Sequence, residues 1–184
     1  MELPYSLLSE LEKVPEKSLP PVHLWHPEHE KDIDLIIQKD GTWQYQGSPI
    51  KRPRLLKLFA SVLRRDDNDY FLVTPVEKCR IEVEDVPFQG ILMDADGEGP
   101  LQQLTVTTDM GDRILIGEKH PLRIQQVGDE WIPYVMVRSG LEARLNRNVY
   151  YQLADLMVES EDPKTSERWL SVWSDGQSFP MMLA

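Results

Sequence analysis

The chain has 184 residues and a formal net charge of −11, from 20 basic and 31 acidic side chains. This length is enough for one or two domains with a buried core, and 41% hydrophobic with 28% charged residues is the composition of a globular protein, which excludes a disordered chain. The excess of acid disfavours binding to double-stranded DNA or to an anionic membrane surface, because the long-range field of the protein repels phosphate.

The cysteine content and the apolar runs constrain the compartment. The single cysteine, Cys79, excludes an intrachain disulfide and a cysteine-rich zinc site. Residues 1–14 carry Glu2, Glu10 and Glu12 and lack a basic start followed by an apolar stretch, so they do not predict a signal peptide. No run approaches the ~18 apolar residues of a membrane span. We therefore expect a cytoplasmic protein with no membrane span.

Residues 1–21 predict a helix and a linker. Within residues 5–14, Leu7, Leu8, Leu11 and Val14 recur at helical spacing. The prolines that follow break the helix and predict an extended connection. They are Pro15, Pro20 and Pro21.

Residues 22–87 predict a first α+β lobe. Residues 33–37 predict a strand, and the Asp-Gly pair that follows predicts a tight hairpin turn, because this pair supplies the positive φ angles that such turns require. Pro53 predicts the first turn of a helix that ends near Arg65. The other strands predicted in this lobe are residues 43–45, 70–73 and 80–84.

Residues 88–184 predict a second, β-rich lobe with a C-terminal helix and a tail. Short alternating runs separated by Gly and Asp turns are typical of a meander or a small barrel. A helix is predicted at about residues 148–158, followed by an acidic loop at residues 159–163. The predicted strands are residues 91–93, 104–107, 113–116, 122–127, 131–137 and 169–173.

The two lobes share an order of landmarks, which favours a duplication. A turn, a strand, a glycine and a proline followed by an aliphatic residue recur at residues 40–50 and 111–122. The strands at residues 70–73 and 134–137 are each followed, after a short gap, by an aliphatic residue and a glutamate. The alternative is that two hairpins resemble each other by chance.

A series of short motifs follows in one order through residues 22–158. They are Trp25-His26-Pro27, Ile33-Asp34, Asp40-Gly41-Thr42-Trp43, Gly47-Ser48-Pro49-Ile50, Leu63-Arg64-Arg65, Val73-Thr74-Pro75-Val76-Glu77-Lys78, His120-Pro121-Leu122-Arg123, Val137-Arg138 and Leu141-Glu142-Ala143. Together these motifs resemble a bacterial family catalogued as domain of unknown function 1285.

The resemblance implies a fold and a class of function. The implied fold is α+β with two structurally repeated lobes, of which the second is a bent antiparallel sheet closed by a C-terminal helix, similar to a pleckstrin-homology domain. The family has no established activity. The resemblance implies a signalling role with a nucleotide-like ligand between the two lobes.

The strongest local charge feature is a basic run inside this acidic chain. No acidic residue occurs between Asp40 and Asp66, where the basic residues are Lys51, Arg52, Arg54, Lys57, Arg64 and Arg65. On the predicted helix, Arg54, Lys57 and Arg64 share the face opposite the leucines. This face is suited to a phosphate or to an acidic segment of a partner. The alternative is an ordinary solvated helix face.

A second set of residues predicts a ligand site. Its members, with Arg52 added from the basic run, are Lys78, His120, Arg123, Arg138 and Arg144. Arg138 closes a strand before a turn whose main-chain N–H groups, together with an arginine, can hold an anion. If the repeats face each other, Lys78, His120, Arg123 and Arg138 are expected to cluster at one cleft. The alternative is that glutamates pair with these cations and lock the repeats together.

No pattern predicts a catalytic or a metal site. His23, His26 and His29 are three residues apart, but the neighbouring prolines argue against a helix and no downstream pair completes a tetrahedral set. The chain has no Gly-x-Ser-x-Gly elbow, no cysteine with a plausible base and no phosphate-binding glycine loop. We therefore expect no catalytic residue, no metal and no cofactor.

Together these features favour a non-enzymatic binding protein, acting in signal transduction or stress response, that holds a small anionic ligand between its lobes. One alternative is a small metal-independent hydrolase with its site in the same cleft. Another is a protein-interaction module that grips an acidic segment of a partner. A carboxylate or histidine with a pKa perturbed by burial would indicate the enzyme, whereas arginines and backbone donors without such a group would indicate the binder.

Overall fold

The computed structural model describes residues 5–13 and 19–184. The chain divides into two compact units, Met1–Pro87 and Phe88–Ala184, and most of the regular structure in each is β-strand. The fold is therefore α+β with two sheet-rich halves. Of the predicted N-terminal features, Val14 and Pro15 lie outside the described residues.

Among its described residues, the N-terminal unit contains two α-helices, α1 (Tyr5–Leu11) and α2 (Pro53–Ser61). Its strands are β1 (His29–Ile37), β2 (Trp43–Tyr45), β3 (Ser48–Pro49), β4 (Leu63–Asp66), β5 (Asp69–Val73) and β6 (Glu77–Val83). The core is formed by side chains that alternate along these strands and by the buried side chains of the helices. Fully buried examples are Leu7, Leu11, Leu35, Ile37, Trp43, Phe59 and Leu72.

The C-terminal unit has one α-helix, α3 (Arg147–Asp155), among its described residues. Six strands form one sheet: β7 (Phe88–Asp96), β8 (Gln103–Thr108), β9 (Arg113–Leu115), β10 (Leu122–Val127), β11 (Glu130–Arg138) and β12 (Leu141–Leu145). Three more strands form a second sheet: β13 (Val158–Glu161), β14 (Arg168–Ser174) and β15 (Gln177–Leu183).

The two six-stranded sheets have the same topology. The strand order is β3-β2-β1-β6-β5-β4 in one and, read in the corresponding direction, β9-β8-β7-β12-β11-β10 in the other. Each sheet therefore consists of two antiparallel meanders of three strands. The meanders are joined in the middle of the sheet by a parallel pair, β1 with β6 in one sheet and β7 with β12 in the other. This shared order supports the predicted duplication, since two unrelated hairpins would not bring it about.

The two units differ in what packs beside the first meander. In the N-terminal unit α2 follows β3, and Phe59 of α2 stacks on Trp43 of β2 with ring centroids 6.4 Å apart. In the C-terminal unit the hydroxyl of Ser174 on β14 donates to the Ile116 carbonyl (2.6 Å) and accepts from the Leu104 N–H of β8 (3.0 Å). The hairpin of β14 and β15, here called the C-terminal hairpin, is thus joined to the six-stranded sheet of its unit by a fully buried side chain.

The predicted helix after Pro53 is wrong at its end. It stops at Ser61, and the next residues form β4, in which Leu63 pairs with Leu72 of β5. The pairing of β4 with β5 outweighs the helical pattern because it buries Leu63 against a neighbouring strand. Arg64 therefore lies on a strand and not on the predicted basic helix face.

The second unit contains more strands than predicted. β12 was not predicted, and it runs parallel to β7, so the sheet is mixed and the purely antiparallel prediction is wrong. Residues 159–163, predicted as a loop, lie largely in β13, and β15 was not predicted. Among the described residues no helix is both long enough and apolar enough to cross a membrane.

Candidate functional site

Lys78, a predicted ligand-binding residue, lies in an ion-pair network of the N-terminal unit. Its ammonium group is 2.9 Å from Asp66 and 3.8 Å from Glu30, and it lies 3.9 Å from the centre of the Phe71 ring. Asp66 also accepts two hydrogen bonds from Arg64, and these contacts lower the pKa of its carboxyl. The network joins β4, β5 and β6 to the start of β1.

The glutamate beside Lys78 has a different partner. Glu77 is buried, and its carboxylate lies 2.9 Å from the ammonium group of Lys31 on β1. The hydrogen bond to Glu77 raises the pKa of Lys31. The ion pair of Glu77 with Lys31 joins the parallel strands β1 and β6.

Arg52 lies directly before α2 in the N-terminal unit, and its side chain is exposed. The other four predicted site residues, His120, Arg123, Arg138 and Arg144, belong to the C-terminal unit.

Arg123 is held by a carboxylate on the same face of its sheet. Its guanidinium donates two hydrogen bonds to Glu142, at 2.8 and 2.6 Å, and lies 4.2 Å from the centre of the Tyr134 ring. Both charged residues belong to one unit, so this pair fastens β10 to β12 across β11. In the register of the sheet, Tyr134 is opposite both Arg123 and Arg144. These two predicted residues therefore share one face of the sheet.

Arg138 occupies a different part of the unit. Its guanidinium is 3.7 Å from the Asp112 carboxylate and 5.2 Å from the centre of the Phe88 ring. Burial lowers the pKa of Arg138, and the charge of Asp112 partly offsets this effect. Phe88 is fully buried at the start of β7. The arginine therefore serves packing and ion pairing in this unit.

His120 is oriented by the main chain. Its Nδ1 lies 2.9 Å from the Met136 carbonyl oxygen on β11. A carbonyl only accepts hydrogen bonds, so Nδ1 carries the hydrogen and the acceptor nitrogen of the neutral ring is Nε2. The histidine thus links the loop before β10 to β11.

Asp109, in the turn between β8 and β9, is a carboxylate whose pKa is changed by burial. Desolvation raises its pKa to about 6, with a smaller contribution from the nearby charge of Asp112. One of its oxygens accepts a hydrogen bond from the Gln89 N–H (3.0 Å), and the Asp109 N–H donates to the Gln89 carbonyl (2.9 Å). The turn between β8 and β9 is thereby tied to the start of β7.

A groove of about 440 Å³ lies on the C-terminal unit, beside Arg144. One side is formed by the hairpin between β10 and β11, where Asp129 and Glu130 are exposed and Trp131 is half-buried. Ile132 supplies a buried apolar surface. This volume falls within the range of small-molecule sites.

The other side of the groove is formed where β12 passes into α3. Arg144 and Arg147 lie here, with Asn146 between them. The Asn146 side chain caps the helix by accepting a hydrogen bond from the Val149 N–H (2.9 Å), and its amide donates to the Ile91 carbonyl (3.2 Å). The position of the helix start, and of both arginines, is thus fixed by the sheet.

Two tyrosines of α3 complete this side. The rings of Tyr150 and Tyr151 are 6.0 Å apart and tilted by 55°, and Tyr151 is 55% exposed. With Trp131 on the facing hairpin, the groove presents aromatic surface on both sides. Arginines next to exposed rings can bind a charged group and stack a planar one.

Sequence reasoning found Arg144 but missed the aromatic residues of the groove. The sequence places Trp131 only on a predicted strand, and Tyr150 and Tyr151 only on a predicted helix. The available signal was a Tyr-Tyr pair in the first turns of a predicted helix that follows two arginines, Arg144 and Arg147. Nothing in the sequence shows that Trp131 lies opposite this pair.

The residues considered for metal binding and nucleophilic chemistry have other surroundings. Within residues 5–13 and 19–184, no three side chains of His, Cys, Asp or Glu come together in a way that could hold a metal ion. His23 lies in a short 3₁₀ turn and His29 begins β1. Burial raises the pKa of the Cys79 thiol to about 11, so the thiol stays protonated at neutral pH.

Comparison with known proteins gives matches over almost the whole chain. Two family models match: the N-terminal domain of DUF1285, a domain of unknown function, over residues 20–86, and its C-terminal domain over residues 87–181. A DUF1285 family protein from Silicibacter pomeroyi is 44% identical, with a TM-score of 0.88 over 97% of this chain and 95% of that chain. One from Shewanella baltica is 32% identical, with a TM-score of 0.52 over 67% of this chain and 91% of that chain. No curated protein matches.

Proposed function

We propose, from the premise that this chain belongs to the DUF1285 family, that it is a non-enzymatic binding protein for a small anionic ligand held in the groove of the C-terminal unit. The two matching family models confirm the family predicted from the sequence motifs. The observation that carries the functional proposal is the combination of two arginines with two tyrosines on one side of the groove, namely Arg144, Arg147, Tyr150 and Tyr151.

The arginines define the charged end of the ligand. Arg147 is exposed and forms no ion pair with the part of the chain that the structure describes, in contrast to Arg123 and Arg138, which pair with carboxylates. A guanidinium presents donors in a planar fork that matches a phosphate or a carboxylate. The ligand therefore places its anionic group at the start of α3.

The aromatic residues define the other part of the ligand. A planar ring stacks on Tyr150, Tyr151 or Trp131, and each such contact adds to the binding free energy without requiring one particular hydrogen-bond pattern. Asp129 and Glu130, on the hairpin side, repel a second anionic group but accept hydrogen bonds from hydroxyl or amino groups. A ligand with one anionic end, a planar ring and polar donors is nucleotide-like.

The predictions from the sequence about process, compartment and fold likeness remain part of this proposal. We place the protein in signal transduction or stress response in the cytoplasm, and ligand binding between the lobes stays a prediction from the sequence. The likeness of the C-terminal unit to a pleckstrin-homology domain also stays a prediction. The helix that follows the sheet supports it, whereas the parallel pair of β7 and β12 and the sheet of β13–β15 are departures from that pattern.

The proposal is tested by calorimetric titration of the full chain with four compounds: adenosine 5′-monophosphate, ribose 5-phosphate, inorganic phosphate and adenosine. The monophosphate should bind most tightly, because it alone uses both the arginines and the rings. Arg147→Gln should weaken its binding about tenfold, since a charge-assisted hydrogen bond contributes about 1.5–3 kcal/mol. Tyr151→Ala should weaken the binding of the monophosphate and leave the binding of inorganic phosphate unchanged.

The matched control is Arg168→Gln, which removes an exposed arginine of the same unit outside the groove. It should leave every affinity unchanged. If none of the four compounds binds the wild-type protein, or if Arg168→Gln weakens binding as much as Arg147→Gln, the groove is not an anion site.

A second candidate function, the hydrolase, is favoured by one observation. Asp109 has a pKa near 6, which is the property expected of a general acid or base. Its carboxylate is, however, bonded to the main chain of Gln89, and it does not line the groove. The hydrolase would be supported if the chain cleaves a phosphate or carboxylic ester and Asp109→Asn abolishes the cleavage. Unchanged cleavage in that variant would contradict it.

A further inference from the structure

Helix α2 starts with cations at the end where acidic residues are favourable. Lys51, Arg52, Arg54 and Lys57, here called the basic patch, are all exposed, and the first turn of α2 contains no acidic residue. The N-terminal end of a helix carries a partial positive charge, so cations there lower helix stability. Arg52 is the N-cap residue, and its side chain makes no capping hydrogen bond. The patch therefore weakens the helix that carries it.

Three cations of the basic patch differ from Lys78 and Arg80 of the same unit. Within the described residues, Lys51, Arg52 and Lys57 form no ion pair, although the chain has 31 acidic and 20 basic side chains. Lys78 and Arg80, on the neighbouring sheet, pair with two or more carboxylates each. A local arrangement that costs stability and leaves charges unneutralised is typical of a binding surface.

The size and the surroundings of the patch define its partner. A helix of nine residues is about 13 Å long, the length of about four residues of extended peptide. Subtracting the four cations of the patch from the net charge of −11 leaves −15 for the rest of the chain. A DNA duplex or a membrane extends beyond the patch and meets this repulsion, whereas a short peptide does not.

We propose that the basic patch binds a short acidic segment of a partner protein, of about four to six residues with several carboxylates. This surface lies in the N-terminal unit and is independent of the groove proposed above. Each carboxylate pairs with one exposed cation, so the complex is weak, salt-sensitive and built from several small contributions.

The probe is fluorescein-labelled hexaglutamate, titrated with the full chain at low salt and followed by fluorescence anisotropy. Arg52→Gln combined with Lys57→Gln should weaken binding about tenfold, because two ion pairs are lost. The control combines Lys119→Gln with Lys164→Gln, which removes two exposed cations of the C-terminal unit and leaves the same net charge. It should bind the peptide as the wild type does.

A second variant separates binding from folding. Arg52→Asp places a favourable N-cap at α2 and an acidic group at its positive end, so the melting temperature should rise by a few degrees. The same variant should bind hexaglutamate at least tenfold more weakly, because one cation becomes an anion. Weaker binding in a more stable protein cannot be caused by unfolding.

Three outcomes would overturn the proposal. The wild-type chain does not bind hexaglutamate, or the variants of the patch bind it as tightly as the wild type, or a short DNA duplex or phosphatidylserine vesicles bind more tightly than the peptide. In the last case the patch is a binding surface for a different class of macromolecule.

Discussion

The two units have one strand order but different packing partners for it. In the N-terminal unit the strand β2 packs against α2 through an aromatic stack of Trp43 on Phe59. In the C-terminal unit the corresponding strand, β8, is contacted by the C-terminal hairpin through the hydroxyl of Ser174. The comparison shows that the double meander of three strands is the constant part of the fold. The element that packs beside it changes, from an inserted helix to an appended sheet.

The charged side chains of the two units also divide into a shared part and a part that differs. In both, a cation near the last strand of the sheet is held by a carboxylate and by an aromatic ring: Lys78 by Asp66 and Phe71, and Arg123 by Glu142 and Tyr134. These pairs join strands within the six-stranded sheets. Lys51, Arg52 and Lys57 around α2 and Arg147 at the start of α3 form no ion pair among the described residues, and this is where we place the two binding surfaces.

The largest effect is expected from the aromatic stack of the N-terminal unit. Trp43→Ala should lower the free energy of unfolding by about 3–5 kcal/mol, because it leaves a cavity against Phe59 in the core. Trp43→Phe should cost much less, since the buried indole N–H has no hydrogen-bond partner among the described residues and its removal loses none. Urea unfolding of both variants measures the difference. Equal losses in the two would show that the indole N–H is satisfied after all.

Much of the fold was predictable because hairpins are local. The Asp-Gly turn after β1 was predicted from two residues, and it is present with a hydrogen bond from the Gln38 N–H to the Thr42 carbonyl. β12 is not among the predicted strands, and it begins directly after Ser139 and Gly140. Both residues have positive φ angles, so they form the turn of a further hairpin. The parallel pairing of β7 with β12 joins distant segments, and no local signal predicts it.

The candidate site was predictable only in part, for the same reason. Arg144 was selected for its charge, and it does line the groove. Arg123 and Arg138 were selected for the same property, but each has a carboxylate from a distant strand or turn beside it, and such pairs depend on the tertiary structure. The facing position of Trp131 likewise depends on how the hairpin and α3 pack.

The second largest effect concerns Asp109, a carboxylate of the C-terminal unit. Because burial raises its pKa to about 6 from 3.8, the folded state binds a proton at a higher pH than the unfolded state. The contribution of Asp109 to stability therefore increases as the pH falls from 7 towards 4. Asp109→Asn should stabilise the protein at pH 7.5, by a quantity on the order of 3 kcal/mol at most, since the amide oxygen still accepts from the Gln89 N–H.

The measurement for Asp109 is urea unfolding of the wild type and of Asp109→Asn at pH 7.5 and at pH 4.0. The difference between them should be large at the higher pH and small at the lower one, where the carboxyl is mostly neutral in the folded state. A variant that is less stable than the wild type at pH 7.5 would show that the charged carboxylate is required for the turn between β8 and β9.

The smallest of the three effects is expected where the appended sheet joins the C-terminal unit. The Ser174 hydroxyl forms hydrogen bonds with two main-chain groups, the Leu104 N–H and the Ile116 carbonyl, and all three residues are fully buried. Ser174→Ala leaves the two main-chain groups without this partner, which should lower the free energy of unfolding by about 1–3 kcal/mol.

The control is Ser178→Ala, because Ser178 is exposed on β15 of the same hairpin and its substitution should have no measurable effect. Amide hydrogen exchange locates the change: protection of the Leu104 N–H and of β14 should fall, while β1 and β2 of the N-terminal unit should exchange as in the wild type. If β1 and β2 also lose protection, the hairpin stabilises more than the unit it belongs to, and the two packing partners are not independent of each other.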